Sequence, residues 1–270
     1  MSNVQKETYV EGLGTIYFCN DSAFDTALKA VLKKSDELIS FRDLAYARIQ
    51  DAEAHGGNWK ESSLCAKGSY VKEGSLFVPI VSNKKIWLRE SLVLKNPSDA
   101  FKAHIGNKEY LLKRFNVESH LEKVSKDGYF ILTGSSAVPT NRFGEDARMV
   151  WAFGDQAKEY GKLLQDAKVS QVGIYMHTGN DAHIYNQSRP FANQLWLRSL
   201  GDYSGIMGDV SLNFRNIYNS STVRGVQRIG EDDAKKSVET YSRKDISSAL
   251  EDLKLSGLEE SIFEKLGGRK

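Results

Sequence analysis

Two histidines and a carboxylate gather at His177-Thr178-Gly179-Asn180-Asp181-Ala182-His183, directly after an apolar run that reads as a strand. That grouping could make His177 a general base oriented by Asp181, or make His177, Asp181 and His183 donors to one metal ion. The plainer reading is a loop in which the Asn-Asp pair shapes a turn and the histidines cap or pack. A second stretch, Leu132-Thr133-Gly134-Ser135-Ser136-Ala137-Val138-Pro139-Thr140, lies between a strand and a helix, where a phosphate loop would sit. Its spacing argues against one: neither G-x-G-x-x-G nor a terminal Gly-Lys-Ser/Thr occurs, and Pro139 removes an amide that such a cradle needs. Ser135 and Ser136 lack the G-x-S-x-G elbow that exposes a nucleophilic serine. Cys65, within Ser63-Leu64-Cys65-Ala66, has no histidine near it in sequence, and Cys19 stands alone. Both read as buried thiols, and no Cys/His spacing suggests zinc. The expectation is therefore a chain without a catalytic set, a resident metal or a cofactor.

The elements that would position these groups follow from periodicity. Phe24, Leu28, Val31 and Leu32 fall at helical spacing, as do Phe41, Leu44, Ala45, Arg48 and Ile49. Ser40 with Asp43 makes a capping-box start for the second of these helices, and Gly56-Gly57 ends it. An extended pattern follows: the apolar run to Val81, the turn-prone Ser82-Asn83 and then Ile86-Trp87-Leu88 suggest a hairpin. Asn96-Pro97 reads as a helix start. Lys126-Asp127-Gly128 is a turn before the strand Tyr129-Phe130-Ile131-Leu132. One helix is expected from about Glu145 to Ala167, with Val150, Phe153, Ala157, Tyr160 and Leu164 on its apolar face. The strand Val172-Gly173-Ile174-Tyr175-Met176 comes next. A charge run, Glu231-Asp232-Asp233-Ala234-Lys235-Lys236, marks a boundary. Beyond it Ser242 and Asp245 cap a helix striped by Ile246, Leu250 and Leu253, and a second short helix carries Leu258, Ile262, Phe263 and Leu266.

Composition narrows the class. With 270 residues, 40% hydrophobic and 27% charged, the chain can bury a full core. Its 37 basic and 35 acidic residues leave a net charge of +2, a balance that does not call for nucleic acid or an anionic membrane. The longest apolar runs, such as Leu76-Phe77-Val78-Pro79-Ile80-Val81, are far shorter than the roughly 18 residues of a membrane span. Met1-Ser2-Asn3-Val4-Gln5-Lys6-Glu7 lacks the apolar core of a secretory signal. No period of about 20 to 50 residues indicates a repeat array.

The most distinctive stretch begins at Gln194-Leu195-Trp196-Leu197-Arg198-Ser199-Leu200 and closes with Val223-Arg224-Gly225-Val226. Between Leu195 and Val226 there is no Lys, Glu or Gln, although Lys and Glu are abundant on either side. Ser, Asn, Asp, Tyr, Gly, Arg and Thr fill it instead. Tyr and Arg offer large contact area and versatile bonding while Ser, Gly and Asn adapt, which is the composition of recognition loops. Tyr203, Tyr218, Arg198 and Arg215 are the expected anchors. Framework roles fall to Leu195 and Trp196, packed beneath the face, and to Gly205, Gly208 and Gly225, where a tight turn or close strand approach is expected. Arg224 suits either a buried ion pair or a backbone clamp. The plainer reading is a polar antiparallel sheet with a long loop.

From Pro190-Phe191-Ala192-Asn193-Gln194-Leu195-Trp196-Leu197 through Val223-Arg224-Gly225-Val226, the chain resembles the variable region of proteins diversified by retroelements, in particular the branch from archaeal viruses and nanoarchaeal genomes. Over residues 40 to 190 the likeness is looser: Phe41-Arg42-Asp43-Leu44-Ala45-Tyr46-Ala47-Arg48 is similar to the early helix of such proteins, and Ala157-Lys158-Glu159-Tyr160-Gly161-Lys162-Leu163-Leu164 is a weaker echo. The resemblance implies an α+β, C-type lectin-like fold, an irregular mixed sheet with flanking helices, here followed by a helical C-terminal tail. It also implies template copying with errors at adenines, which scatters asparagine-type codons without yielding Lys, Glu or Gln. Family variable regions often end the chain, whereas about 40 residues follow this one.

Taken together, these readings lead to an N-terminal segment over residues 1–39, a lectin-like domain over 40–230 with its variable region at about 195–226, and a tail over 231–270. The tail could pack back on the domain, self-associate or dock a partner chain. The expected ligand-contacting positions are Arg198, Ser199, Gly201, Asp202, Tyr203, Ile206, Met207, Asp209, Val210, Asn213, Arg215, Asn216, Tyr218, Asn219 and Ser221. The expected activity is recognition of a protein or other cell-surface ligand, not catalysis, and the resemblance would place the chain on a virion or cell surface. The competing expectations are a lectin-fold enzyme or hydrolase using His177, Asp181 and His183, and a virion component assembled through its tail.

Overall fold

A computed structural model describes residues 3–21, 24–78, 84–91, 94, 126–132, 137–176, 191–201, 205–208 and 221–228. The chain divides into two compact units, Met1–Arg228 and Ile229–Lys270. Every described residue lies in the first, so the tail helices, the Asn96-Pro97 start and the Ser82-Asn83 turn lie outside the described residues.

The first unit is built on a mixed sheet. Its described strands are β1 (Val4–Val10), β2 (Gly14–Asp21), β3 (Glu37–Leu38), β4 (Ser69–Val78), β5 (Lys84–Leu88), β6 (Tyr129–Leu132), β7 (Ala137–Pro139), β8 (Gln171–Met176), β9 (Phe191–Leu197), β10 (Gly205–Gly208) and β11 (Ser221–Arg228). They run in the order β1-β2-β11-β4-β9-β10-β8-β7, with β3 beside β11 and with β5 linking β4 to β6. The β10–β8 pair is parallel, as is the single β11–β4 register point Val223–Tyr70, and the other pairs are antiparallel.

Within the stretch expected as an N-terminal segment with a helix, β1, β2 and β3 are strands of this sheet. Gly12 and Gly14, at φ of 74° and 124°, turn β1 into β2. From Gly14 to Asp21, β2 pairs with β11. The strand sends a side chain into each core, Ile16 into one and Cys19 into the other. Strands of that kind lack clean polar alternation, which hid this one from the periodicity argument.

Helix α1 (Phe24–Val31) packs Phe24, Ala27, Leu28 and Val31 against Cys19, Leu38, Tyr70 and Val223 on one face. The larger core lies on the opposite face beneath α2 (Phe41–Ala54) and the later helices. The Ser40 cap is realised, since the Asp43 amide donates to Ser40 Oγ at 3.0 Å, and the return bond of the pair runs between side chains, from Ser40 Oγ to Asp43 Oδ2 at 2.7 Å. Past Ala54 the backbone of Gly56 and Gly57 takes φ of 64° and 83°, which ends the helix as anticipated. A short helix, α3 (Ser63–Ala66), follows. The β4–β5 hairpin and the Lys126–Gly128 turn into β6 also form.

The single helix expected over 145–167 is instead two. Helix α4 (Ala147–Phe153) stops at Gly154, whose φ of 58° no continuing helix can use, and a 3₁₀ turn, Gly154–Gln156, leads into α5 (Ala157–Asp166). Asp155 in that turn forms two hydrogen bonds with the Arg42 guanidinium, at 2.7 and 2.9 Å, which hold its carboxyl down at about 2. The apolar stripe continues across the break, with Phe153, Ala157, Tyr160 and Leu164 buried, but Val150 is 43% exposed.

Candidate functional site

The stretch singled out in the sequence enters on β9 and leaves on β11, and both strands are fixed from beneath. Leu195, Leu197 and Leu200 lie in the larger core. Trp196, at the alternate parity, meets Tyr70 edge-on at 4.8 Å, and Tyr70 meets Phe24 at 4.6 Å. The Trp196 indole lies so close over Gly68 that a Cβ there would stand 2.5 Å from its Cζ2. At the end of this run the Leu200 amide donates to Cys65 O at 2.9 Å.

On the exit strand Val223, Arg224 and Val226 are fully buried. Arg224 fills both roles anticipated for it. Its Nε and Nη2 donate to the two Glu7 carboxylate oxygens at 2.5 and 2.7 Å, and Nη1 donates to Gly68 O at 3.2 Å. At Gly225 a Cβ would overlap Ser35 Oγ and Val31 Cγ1, so the close approach is made by α1 and the turn after it and not by the strand or tight turn expected there. Thr222 Oγ1 donates to Asn20 Oδ1 at 2.6 Å, fastening β11 to β2.

Between these strands β4 carries an irregularity: its register against β9 passes from Tyr70–Trp196 to Gly74–Gln194. The carbonyls freed by that bulge are taken by the buried Gln194 side chain, whose Nε2 donates to Val71 O and to Glu73 O. Glu73 itself turns inward, where it accepts from the Phe41 amide at 3.0 Å at the start of α2. Burial raises its carboxyl to about 8 against the opposing pull of that hydrogen bond and of Arg89. Neither Glu7 nor Glu73 drew attention in the sequence, since an isolated glutamate within a strand reads as solvent-facing until its partner is known.

The expected contact positions fall into four groups. Gly201 is exposed and Arg198 is partly buried at the rim of the core. Met207 and Ser221 are placed by backbone alone, Met207 in register with Trp196 and Tyr175, and Ser221 with Asp21. Ile206 and Ser199 are corrected. Ile206 is 1% exposed within the larger core and Ser199 is 8% exposed, so both stand in the framework. The cause for Ile206 is strand parity, because it sits in register with the buried Leu197 and Ile174. Asp202, Tyr203, Asp209, Val210, Asn213, Arg215, Asn216, Tyr218 and Asn219 lie outside the described residues, as do His177, Asp181 and His183. Among the described residues no group of three or more His, Cys, Asp or Glu could hold a metal ion. Cys19 and Cys65 are both buried, and burial pushes the Cys65 thiol up, away from the reactive thiolate. No helix among the described residues is long and apolar enough to cross a membrane.

No protein-family model matches the chain, and no curated protein matches it in sequence. Its architecture is similar to a solved structure described as "Accommodation of massive sequence variation in Nanoarchaeota by the C-type lectin fold". The superposition gives a TM-score of 0.51 at 16% identity and covers 79% of this chain and 96% of the other. At that identity the likeness is one of fold: a mixed sheet with few helices, in the C-type lectin arrangement.

Proposed function

We propose that the chain is a non-enzymatic ligand-binding protein whose recognition face is the segment from Arg198 to Ser221, diversified by retroelement mutagenesis and displayed for attachment to a cell-surface or protein ligand. The observation that carries this reading is the contrast between the segment and its ends. Leu195, Trp196, Leu197 and Leu200 on one side, and Thr222 to Val226 on the other, are held by packing and hydrogen bonds to other parts of the chain. The intervening residues are rich in the Ser, Gly, Asn, Tyr and Arg that recognition loops use and lack Lys, Glu and Gln. The similar protein, described as accommodating massive sequence variation on the C-type lectin fold, supports the same division into frame and variable surface. A fixed sheet limits the entropy lost when such a face binds, and aromatic and Arg anchors supply the affinity.

Sequencing codons 190 to 230 across the source population tests the reading. Variation is expected at Arg198, Asp202, Tyr203, Asn213, Arg215 and Tyr218, with Leu195, Trp196, Ile206 and Val223 to Val226 constant. Uniform codons over the whole stretch would remove diversification from the account.

A further inference from the structure

We propose that Arg48 is a positioning residue for the binding face, because it holds the segment Leu64–Tyr70 as a rail to which both ends of the recognition segment are fastened. The inference rests on the reading above for its functional meaning, but its geometry stands apart from that reading.

Helix α3 has four residues, Ser63–Ala66, so its own turns cannot satisfy the carbonyls at its end. Their partners come from elsewhere. Arg48 Nε donates to Leu64 O at 2.9 Å, and Arg48 Nη2 donates to Lys67 O at 2.9 Å. Between those two points the Leu200 amide donates to Cys65 O, and one residue beyond them Arg224 Nη1 donates to Gly68 O. The carbonyls are thus shared between Arg48 and the two ends of the recognition segment. Further along the same strand Ser69 pairs with Leu197, and Tyr70 pairs with both Trp196 and Val223.

Arg48 is fully buried, and its remaining donor, Nη1, meets Tyr160 Oη at 2.6 Å. The guanidinium therefore ties the rail to α2 and α5 at once. The three bonds leave from three separate nitrogens of a planar fork, whereas the three donors of a lysine radiate from one nitrogen and cannot stand where Nε, Nη1 and Nη2 do. The separation of Leu200 from Thr222 is then set by this rail, whatever residues the intervening segment carries.

Amide hydrogen exchange on the full chain tests the proposal without any ligand. In the unaltered protein the Leu200 amide is expected to be as protected as the Ile16–Phe18 amides of β2; exchange at the rate of an open loop would overturn the proposal even if no variant folds. In Arg48→Lys the Leu200 amide is expected to exchange at least about tenfold faster while the β2 amides hold their rates, as for a local opening. Tyr160→Phe, which leaves both carbonyl bonds of Arg48 in place, is expected to keep Leu200 protected. No change at Leu200 in Arg48→Lys, or a rise shared equally by β2, would reduce Arg48 to a general contributor to stability. Population sequencing reads the binding face and exchange reads its anchor, so either can fail without the other.

Discussion

Arg224 shows how one buried charge organises its surroundings. Its side chain has no exposed surface and that of Glu7 has 4%, so the pair has given up its hydration and depends on the two short hydrogen bonds between them. Removing one partner leaves the other charged and buried, which typically costs about 3–5 kcal/mol. Glu7→Gln is therefore expected to lower stability by that order in urea denaturation, whereas a surface change such as Glu159→Gln, on a salt bridge with both partners more than half exposed, is expected to cost less than about 1 kcal/mol. Glu73 gives a pH dependence of a definite sign. Its folded carboxyl is raised to about 8 from an ordinary value of 4.5, so the fold retains a proton that the unfolded chain releases. The stability it contributes is complete below about 4.5 and is lost as pH climbs through about 8. Thermal melts over that window are expected to fall with pH in the wild type and to fall less steeply in Glu73→Gln, which keeps an acceptor for the Phe41 amide and cannot ionise. Identical slopes would mean that the carboxyl already titrates as in water.

At the scale of elements, glycines decide where chains come close. Gly225 lies beneath α1, where a Cβ would overlap Ser35 and Val31. Gly225→Ala is expected to cost about 1–3 kcal/mol through overpacking, read as a lower urea midpoint with an unchanged slope. The expectation at this glycine was a tight turn or the approach of another strand, and the neighbour is instead a helix, which no local pattern announces. The α2 cap and its glycine end were likewise legible, since each depends on residues within a turn of one another. The break at Gly154 was missed because the stripe of Phe153, Ala157, Tyr160 and Leu164 continues across it, and periodicity is blind to one residue at positive φ. Ile206 was misplaced for a related reason: the segment's composition marks it as a surface, but strand parity sends its alternate residues inward.

The whole molecule places β11, late in the chain, between β2 from its beginning and β4 from its first third. The recognition segment therefore leaves from and returns to the middle of the sheet, not to a free edge, so its ends share the stability of the core. Because Met1–Arg228 is a compact unit, a chain ending at Gly230 is expected to keep the cooperative unfolding and melting temperature of the full protein. Light scattering on the same pair reads the tail: a loss of mass beyond that of the deleted residues would assign it assembly. The Ser40 cap and the Gly56-Gly57 stop of α2, the β4–β5 hairpin, the buried cysteines and the biased stretch between Leu195 and Val226 could be read from the chain alone, because each is written in neighbouring residues. That the first strands belong to the same sheet, and that Glu7 meets Arg224 across 217 residues of chain, emerges only in the folded molecule. It alone joined Arg48 to the carbonyls beside Leu200. Partners so distant in sequence leave no local pattern, since the free energy that selects them comes from burial and hydrogen bonds that exist only once the sheet has closed.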